Sequence, residues 1–333
     1  MQRPTVLIIK HGFSETCDHR ISPVVSLGDV FRCTCLLEAF PGHHVTWITA
    51  TAAAELLRGN HLIDRLLLAD SPDQLEPAQR PQAADIVINL EKQRDWCLFA
   101  AQIPASQRYG FADWTSNGPD AFYPESAAAL AQGLNTDRPR PVQHTLFETI
   151  GQPWTGQHYS LGHQPRVFPI YDVGLNHHVG PKWPNKRWPD EYWQKLHDHL
   201  LERRYAVAWQ QSLNSITHYA DWLASCRLIV TCDSLGLHLA LALKRKVVAL
   251  FGPTIPEQIY MYGQGIKLAP ATDRPCIPCM QARCNYPNPC MQYLTVDMAI
   301  EAIDLLLPAP KQPLSIPALA HQETLQLAAG TTS

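Results

Sequence analysis

The sequence predicts an α/β protein built from two Rossmann-like halves, and three observations lead there. Residues 227–254 read as strand, tight turn, short helix and strand. Their strand segments, 228–232 and 247–251, are continuous apolar runs, as expected of strands in a parallel sheet covered on both faces. The first 90 residues alternate short apolar strands with short helices in the same manner. A chain of 333 residues is long enough to divide into two domains of ordinary size.

In chain order, TVLII at 5–9 is the opening strand. The polar loop 10–25 that follows is longer than a βα connection needs, which points to function. A helix then opens at Ser26-Leu27-Gly28-Asp29 with Val30, Cys33, Leu36, Leu37 and Phe40 on its apolar face. Strands follow at 44–49, 65–68 and 86–90, with a helix over 52–58. Residues 91–160 carry little periodicity, with helices expected at 126–134 and 143–150. Gly151 to Pro165 is rich in glycine, proline and polar residues, so the domain boundary is placed there, giving domains 1–160 and 161–307. Beyond it come a strand ending at 172–175, a helix beginning at Pro189 with Trp193, Leu196 and Leu200 inward, a strand at 206–209 ending in Gln210 and Gln211, and a helix over 216–226. The last helix is 296–307, and the proline-rich 308–333 reads as a tail.

Composition narrows the function. The net charge of −3 offers no basic excess for nucleic acid. No segment has the length of a membrane helix and none resembles a signal peptide, so a soluble cytoplasmic protein is expected, with peripheral membrane contact left open.

The polar groups fall where parallel sheets bind ligands, after the carboxyl ends of strands. Asp233-Ser234-Leu235-Gly236 begins a helix whose free N–H groups and dipole suit a phosphate or diphosphate, with Asp233 or Ser234 as cap and His238 one turn in. A capped βα turn with a buried histidine accounts for the same residues. The loop 176–189 joins glycine to Lys182, Lys186 and Arg187 and suits an anion; a stiff loop with solvated lysines reads equally well. Asp29 stands at a helix mouth, either as a first-turn acid or as a functional carboxylate.

Three stretches in this order, VSLGDVFRCT (25–34), VGPKWPNKRWPDEYW (179–193) and TCDSLGLHLALALKRKVVALFGPT (231–254), resemble glycosyltransferase family 9, the ADP-heptose heptosyltransferases of lipopolysaccharide inner core. The resemblance implies a GT-B fold, two Rossmann-like domains facing across a cleft, and an inverting transfer. Asp29 matches the family's general base and Lys186 the lysine that contacts the diphosphate. Asp233, Ser234 and His238 match the Asp-Ser/Thr-Gly-x-x-His motif that grips the donor. Here Leu235 takes the usual glycine place and Gly236 follows it, which leaves the donor less defined. Lys182, Thr254 and Glu257 are further donor-side positions. The partners implied are a nucleotide-sugar donor and a hydroxyl acceptor on a glycan, a lipid-linked sugar or a protein. No cofactor is needed for the chemistry. Rival readings are a UDP-sugar transferase or epimerase of the same fold, and a non-catalytic nucleotide-sugar or metal-binding protein.

Ten cysteines divide into scattered thiols and a cluster, Cys276, Cys279, Cys284 and Cys290, spaced C-x2-C-x4-C-x5-C. Four thiols on a turn-rich loop suit a closed structural Zn or Fe site, and free thiols in a reducing cytosol are the alternative. Some protein heptosyltransferases related to the resembled family carry a four-cysteine iron finger.

Overall fold

The computed structural model describes residues 3–13, 24–112, 122–133, 139–210 and 215–308. Most of the loop at 10–25, with Cys17, lies outside them, as do Leu134, Gln211 and the tail from 309 onward. The chain forms two five-stranded sheets in which every pairing is parallel. The first contains β1 (Thr5–Ile9), β2 (His44–Thr49), β3 (Arg65–Leu68), β4 (Ala84–Asn89) and β5 (Ala105–Gly110), in the order β3-β2-β1-β4-β5. The second contains β6 (Tyr171–Asn176), β7 (Val207–Trp209), β8 (Cys226–Cys232), β9 (Lys246–Leu250) and β10 (Gly265–Leu268), in the order β10-β9-β8-β6-β7. Strand order reverses between β1 and β4 and again between β6 and β8. Connections leave those neighbouring strands in opposite directions, which opens a crevice at each carboxyl edge.

The helices are α1 (Leu27–Arg32), α2 (Ala54–Leu57), α3 (Arg94–Gln102), α4 (Ala127–Gly133), α5 (Val142–Thr149), α6 (Asp190–Glu202), α7 (Ile216–Ala224), α8 (Leu235–Ala242) and α9 (Val296–Leu306). Pro189 caps α6, Asp190 and Glu191 complement its dipole, and Trp193, Leu196 and Leu200 are the face it buries. In α8 every residue from Gly236 to Leu241 is buried, so it has no polar face to reveal it by periodicity. None of the helices described is long and apolar enough to cross a membrane.

The structure corrects several boundaries. The helix expected from 26 to 40 is α1 followed by a 3-10 segment, Cys33–Ala39. The one expected at 52–58 is a 3-10 turn, Thr51–Ala53, running into α2. The one expected to reach 226 stops at Ala224, because Cys226 already belongs to β8. Neither α3, β5 nor β10 was anticipated.

One apolar cluster runs through both halves, with Phe31 and Leu36 from the first and Leu237 and Leu241 from the second. Tyr159, from the connecting segment, is wedged between them, its ring 5.8 Å from Phe31 and 5.7 Å from His238. Polar bonds lock the same seam. Lys182 Nζ donates to Val24 O at 2.8 Å, Ile216 N to Glu55 Oε2 at 2.6 Å, and Gln143 Nε2 to Tyr262 OH at 2.9 Å. Gly28 lets α1 approach α8, for a Cβ there would sit 3.1 Å from His238 Cδ2. Gly236 does the equivalent behind α8: a Cβ would fall 2.2 Å from both Asn176 Nδ2 and Tyr219 OH.

Candidate functional site

Where the two carboxyl edges meet lies a cavity of about 410 Å³, lined by Asp29, Arg32, Lys182, Lys186, Asp233 and Ser234 together with Gly28, Leu235 and His238. Asp29 follows β1, Lys186 follows β6 and Asp233 follows β8, so these three strands of the two switch points supply its chemistry.

Asp233 is the hub of the second-domain wall. Its Oδ2 accepts from Lys186 Nζ at 2.8 Å and from Thr254 Oγ1 at 2.8 Å. Burial pushes its carboxyl up, but Lys186, His238 and the two hydrogen bonds prevail and hold it at about 2. Asp233 therefore does not cap α8, as the sequence had allowed. Ser234 occupies the cap position yet makes no side-chain cap bond. Its Oγ lies 3.4 Å from Asn176 Nδ2 and from Thr231 Oγ1. The start of α8 thus faces the cavity with its N–H groups uncapped by that side chain, beside the Lys186 ammonium, which also lies 5.1 Å over the Trp183 ring.

Asp29 supplies the opposite wall. Its carboxylate meets Arg32 NH2 at 2.5 Å, an i,i+3 pair on α1. Burial alone would raise its pKa; Arg32, Lys10, Lys186 and His238 outweigh that and hold it below the ordinary carboxylate range. The group is ionised at neutral pH. Lys10 is in turn held 3.1 Å from the buried Glu91, which also accepts from the backbone N–H groups of His11 and Gly12 at 2.9 Å each.

His238 is buried beneath Gly28, and its Nδ1 has no hydrogen-bond partner among the described residues. Desolvation lowers its pKa to about 4, against the pull of Asp233 and Asp29, so it is neutral at physiological pH. It can offer the cavity a hydrogen bond but not a charge. Lys182, read as a solvated lysine or a donor contact, is buried on the cavity wall. Gly236 does not line the cavity, and Thr254 reaches it only through Asp233.

Sequence reading missed Arg32, Lys10, Trp183 and Glu91. Arg32 had a signal in its helical spacing from Asp29, and Lys10 in its place directly after β1. Glu91 had none, since its partners lie about 80 residues away. The cysteines share one loop. Cys290 is buried, and its thiol is pushed up to about 11 by burial and then by Cys279, Cys284 and Cys276. Among the described residues no three His, Cys, Asp or Glu side chains converge as a metal sphere.

Two facing parallel-sheet domains, with an acid from one opposite a lysine and a helix start from the other, define a protein of GT-B fold. The crystal structure of a glycosyltransferase family 9 protein from Veillonella parvula superposes with a TM-score of 0.64 at 18% identity, covering 92% of this chain and 98% of that one. The Escherichia coli heptosyltransferase WaaC with ADP gives 0.60 at 19% identity, over 90% of this chain and 99% of that one. The family model described as glycosyltransferase family 9 (heptosyltransferase) matches residues 212–289. Lipopolysaccharide heptosyltransferase 1 of Pseudomonas aeruginosa is 30% identical over 129 residues, 32% of this chain and 36% of that protein. The aligned stretch spans about a third of that relative's length. The chain thus shares the fold of these solved glycosyltransferases, and its 212–289 stretch matches the family 9 model by sequence.

The buried neutral histidines fix a pH dependence of stability. His11 and His238 both have folded-state pKa values lowered to about 4. Between pH 6.5 and 4 the unfolded chain takes up protons that the folded chain refuses, so stability is complete above about 6.5 and falls as pH drops toward 4. Each histidine contributes up to about 3 kcal/mol to that fall. Denaturant melts across this range are expected to show the loss, and His238→Gln to flatten it; an unchanged slope in the variant would contradict a neutral His238.

Proposed function

We propose that the protein is an inverting glycosyltransferase that moves heptose from ADP-heptose to an acceptor hydroxyl. The observation that carries this reading is the shared cavity. A carboxylate on the first domain faces an ammonium and an uncapped helix start on the second. Displacement at an anomeric carbon needs a base on one face and charge neutralisation of the leaving diphosphate on the other.

In this reading the acceptor hydroxyl gives its proton to Asp29 as its oxygen bonds to the anomeric carbon. The bond from that carbon to the diphosphate breaks on the opposite face, and the nucleoside diphosphate leaves with the electron pair. Lys186 and the α8 N–H groups take up the charge that develops there. Asp233 and Thr254 keep Lys186 in place, His238 gives a neutral hydrogen bond, and Lys182 holds the domains at their seam. The name of the Pseudomonas relative, lipopolysaccharide heptosyltransferase 1, points to lipopolysaccharide as acceptor. We place the reaction in the cytoplasm, with the enzyme touching the membrane surface where a lipid-linked acceptor is held.

We also propose that Cys276, Cys279, Cys284 and Cys290 hold one structural Zn or Fe. Support comes from the chemistry of four thiols within 15 residues of one turn-rich segment, which binding would draw together as thiolates. A closed four-thiolate shell leaves no position for substrate, so the ion would brace the loop.

With ADP-heptose and a core acceptor, Asp29→Asn is expected to cut kcat by about 100- to 10,000-fold while ADP affinity stays within about twofold. Lys186→Ala is expected to weaken ADP about 10- to 100-fold. Full turnover in Asp29→Asn would sink the assignment. Elemental analysis of protein purified without added metal is expected to find about one Zn or Fe per chain, lost in Cys279→Ser. A metal-free native protein would refute the structural-ion proposal.

A further inference from the structure

Lys186 stands at the end of a 3-10 turn only three residues long, Pro184–Lys186. The turn has few bonds of its own, from Lys186 N to Trp183 O at 3.1 Å and from Arg187 N to Pro184 O at 3.1 Å. So short a segment does not fix the place of a long cationic side chain; something outside it must.

The outside support is the cysteine loop, reached through Asn185. The Asn185 backbone N donates to Ala282 O at 3.0 Å. Its buried side-chain Nδ2 donates to Gln281 O at 3.1 Å and lies 3.8 Å from Cys279 Sγ. From the same loop Met280 N donates to Pro253 O at 2.8 Å, one residue before Thr254. Where the loop ends it packs on Gly252, whose missing Cβ would fall 2.4 Å from Met291 Sδ and 2.9 Å from Cys290 Sγ. Lys186 and Thr254, the two donors to Asp233 Oδ2, are therefore each one residue from a hydrogen bond to the 279–282 segment.

We infer that Asn185 is a positioning residue which ties the Lys186 turn to the cysteine loop, making that loop the back wall of the diphosphate site. The inference rests on the donor-site reading above and adds a dependence to it: the state of the cysteine loop sets donor affinity. Among the described residues, the hydrogen bonds named above tie the loop to the backs of the Lys186 and Thr254 segments. A displacement of 279–282 moves the lysine and the threonine together and leaves the Asp29 wall untouched.

The test is a double-mutant cycle read by calorimetric binding, with no transfer step involved. ADP and inorganic pyrophosphate are titrated into the wild type, Asn185→Ala, Lys186→Ala and the double variant. Asn185→Ala is expected to weaken both probes by a similar factor, about 5- to 10-fold, the scale of one lost hydrogen bond to the site's support. The double variant is expected to bind no more than about twofold worse than Lys186→Ala alone, because Asn185 acts through that ammonium. Melting curves verify folding, and Asn185→Ser, which keeps a small polar side chain, takes the place of the alanine variant if that one does not fold. Unchanged affinity in Asn185→Ala, or losses that multiply in the double variant, overturns the inference while leaving the donor site standing. A wild type that binds neither probe removes the donor-site reading and this inference with it.

Discussion

The site depends on one carboxylate oxygen. Asp233 Oδ2 accepts from Lys186 and from Thr254, each at 2.8 Å, and so joins three segments that leave three different strands of the second sheet. A buried carboxylate is tolerated only when such partners offset its desolvation. Removing Lys186 leaves an unpaired charge in a low-dielectric setting, which costs far more than one hydrogen bond on the surface. Lys186 is consequently held at the mouth of α8, where an ammonium and the helix start line the same cavity.

The architecture explains why the opposing acid belongs to another domain. Each sheet reverses its strand order once, and each reversal makes a crevice at the carboxyl edge. The two crevices face one another because α1 rests on α8 through Gly28 and His238, with Tyr159 packed against both. Asp29 and Asp233 are thereby brought to one cavity although 204 positions separate them in the chain, 233 minus 29. Cations on both walls keep the two acids ionised: Arg32 and Lys10 beside Asp29, Lys186 beside both.

Strands at 5–9, 44–49 and 65–68 were legible to the residue, since each is an apolar run bounded by polar or turn residues. β5, ASQRYG, escaped because an edge strand with exposed Ser106 and Gln107 has no apolar run to read. α3 escaped because its first turn is Arg94 and Asp95, and the inward Trp96, Cys97, Phe99 and Ala100 fill barely two turns. Asp29, Lys186, Asp233, Ser234 and His238 stood out by their places after strands, family resemblance supplied their expected roles, and the structure brings all five to one cavity. What no local pattern carries is the long-range pairing. Lys182 reads as solvated until Val24 is placed above it, and Asn185 reads as a turn residue until the cysteine loop folds back on it almost 100 positions later.

The proposed chemistry needs a two-sided pocket, with the proton acceptor and the diphosphate cradle on facing domains. A crystal structure of the protein with ADP tests it most directly. The account expects the diphosphate within hydrogen-bond distance of Lys186 Nζ and the first N–H groups of α8, with the Asp29 carboxylate across the open part of the cavity. ADP seated away from Lys186, or an Asp29 carboxylate turned out of the cavity in the complex, would contradict it.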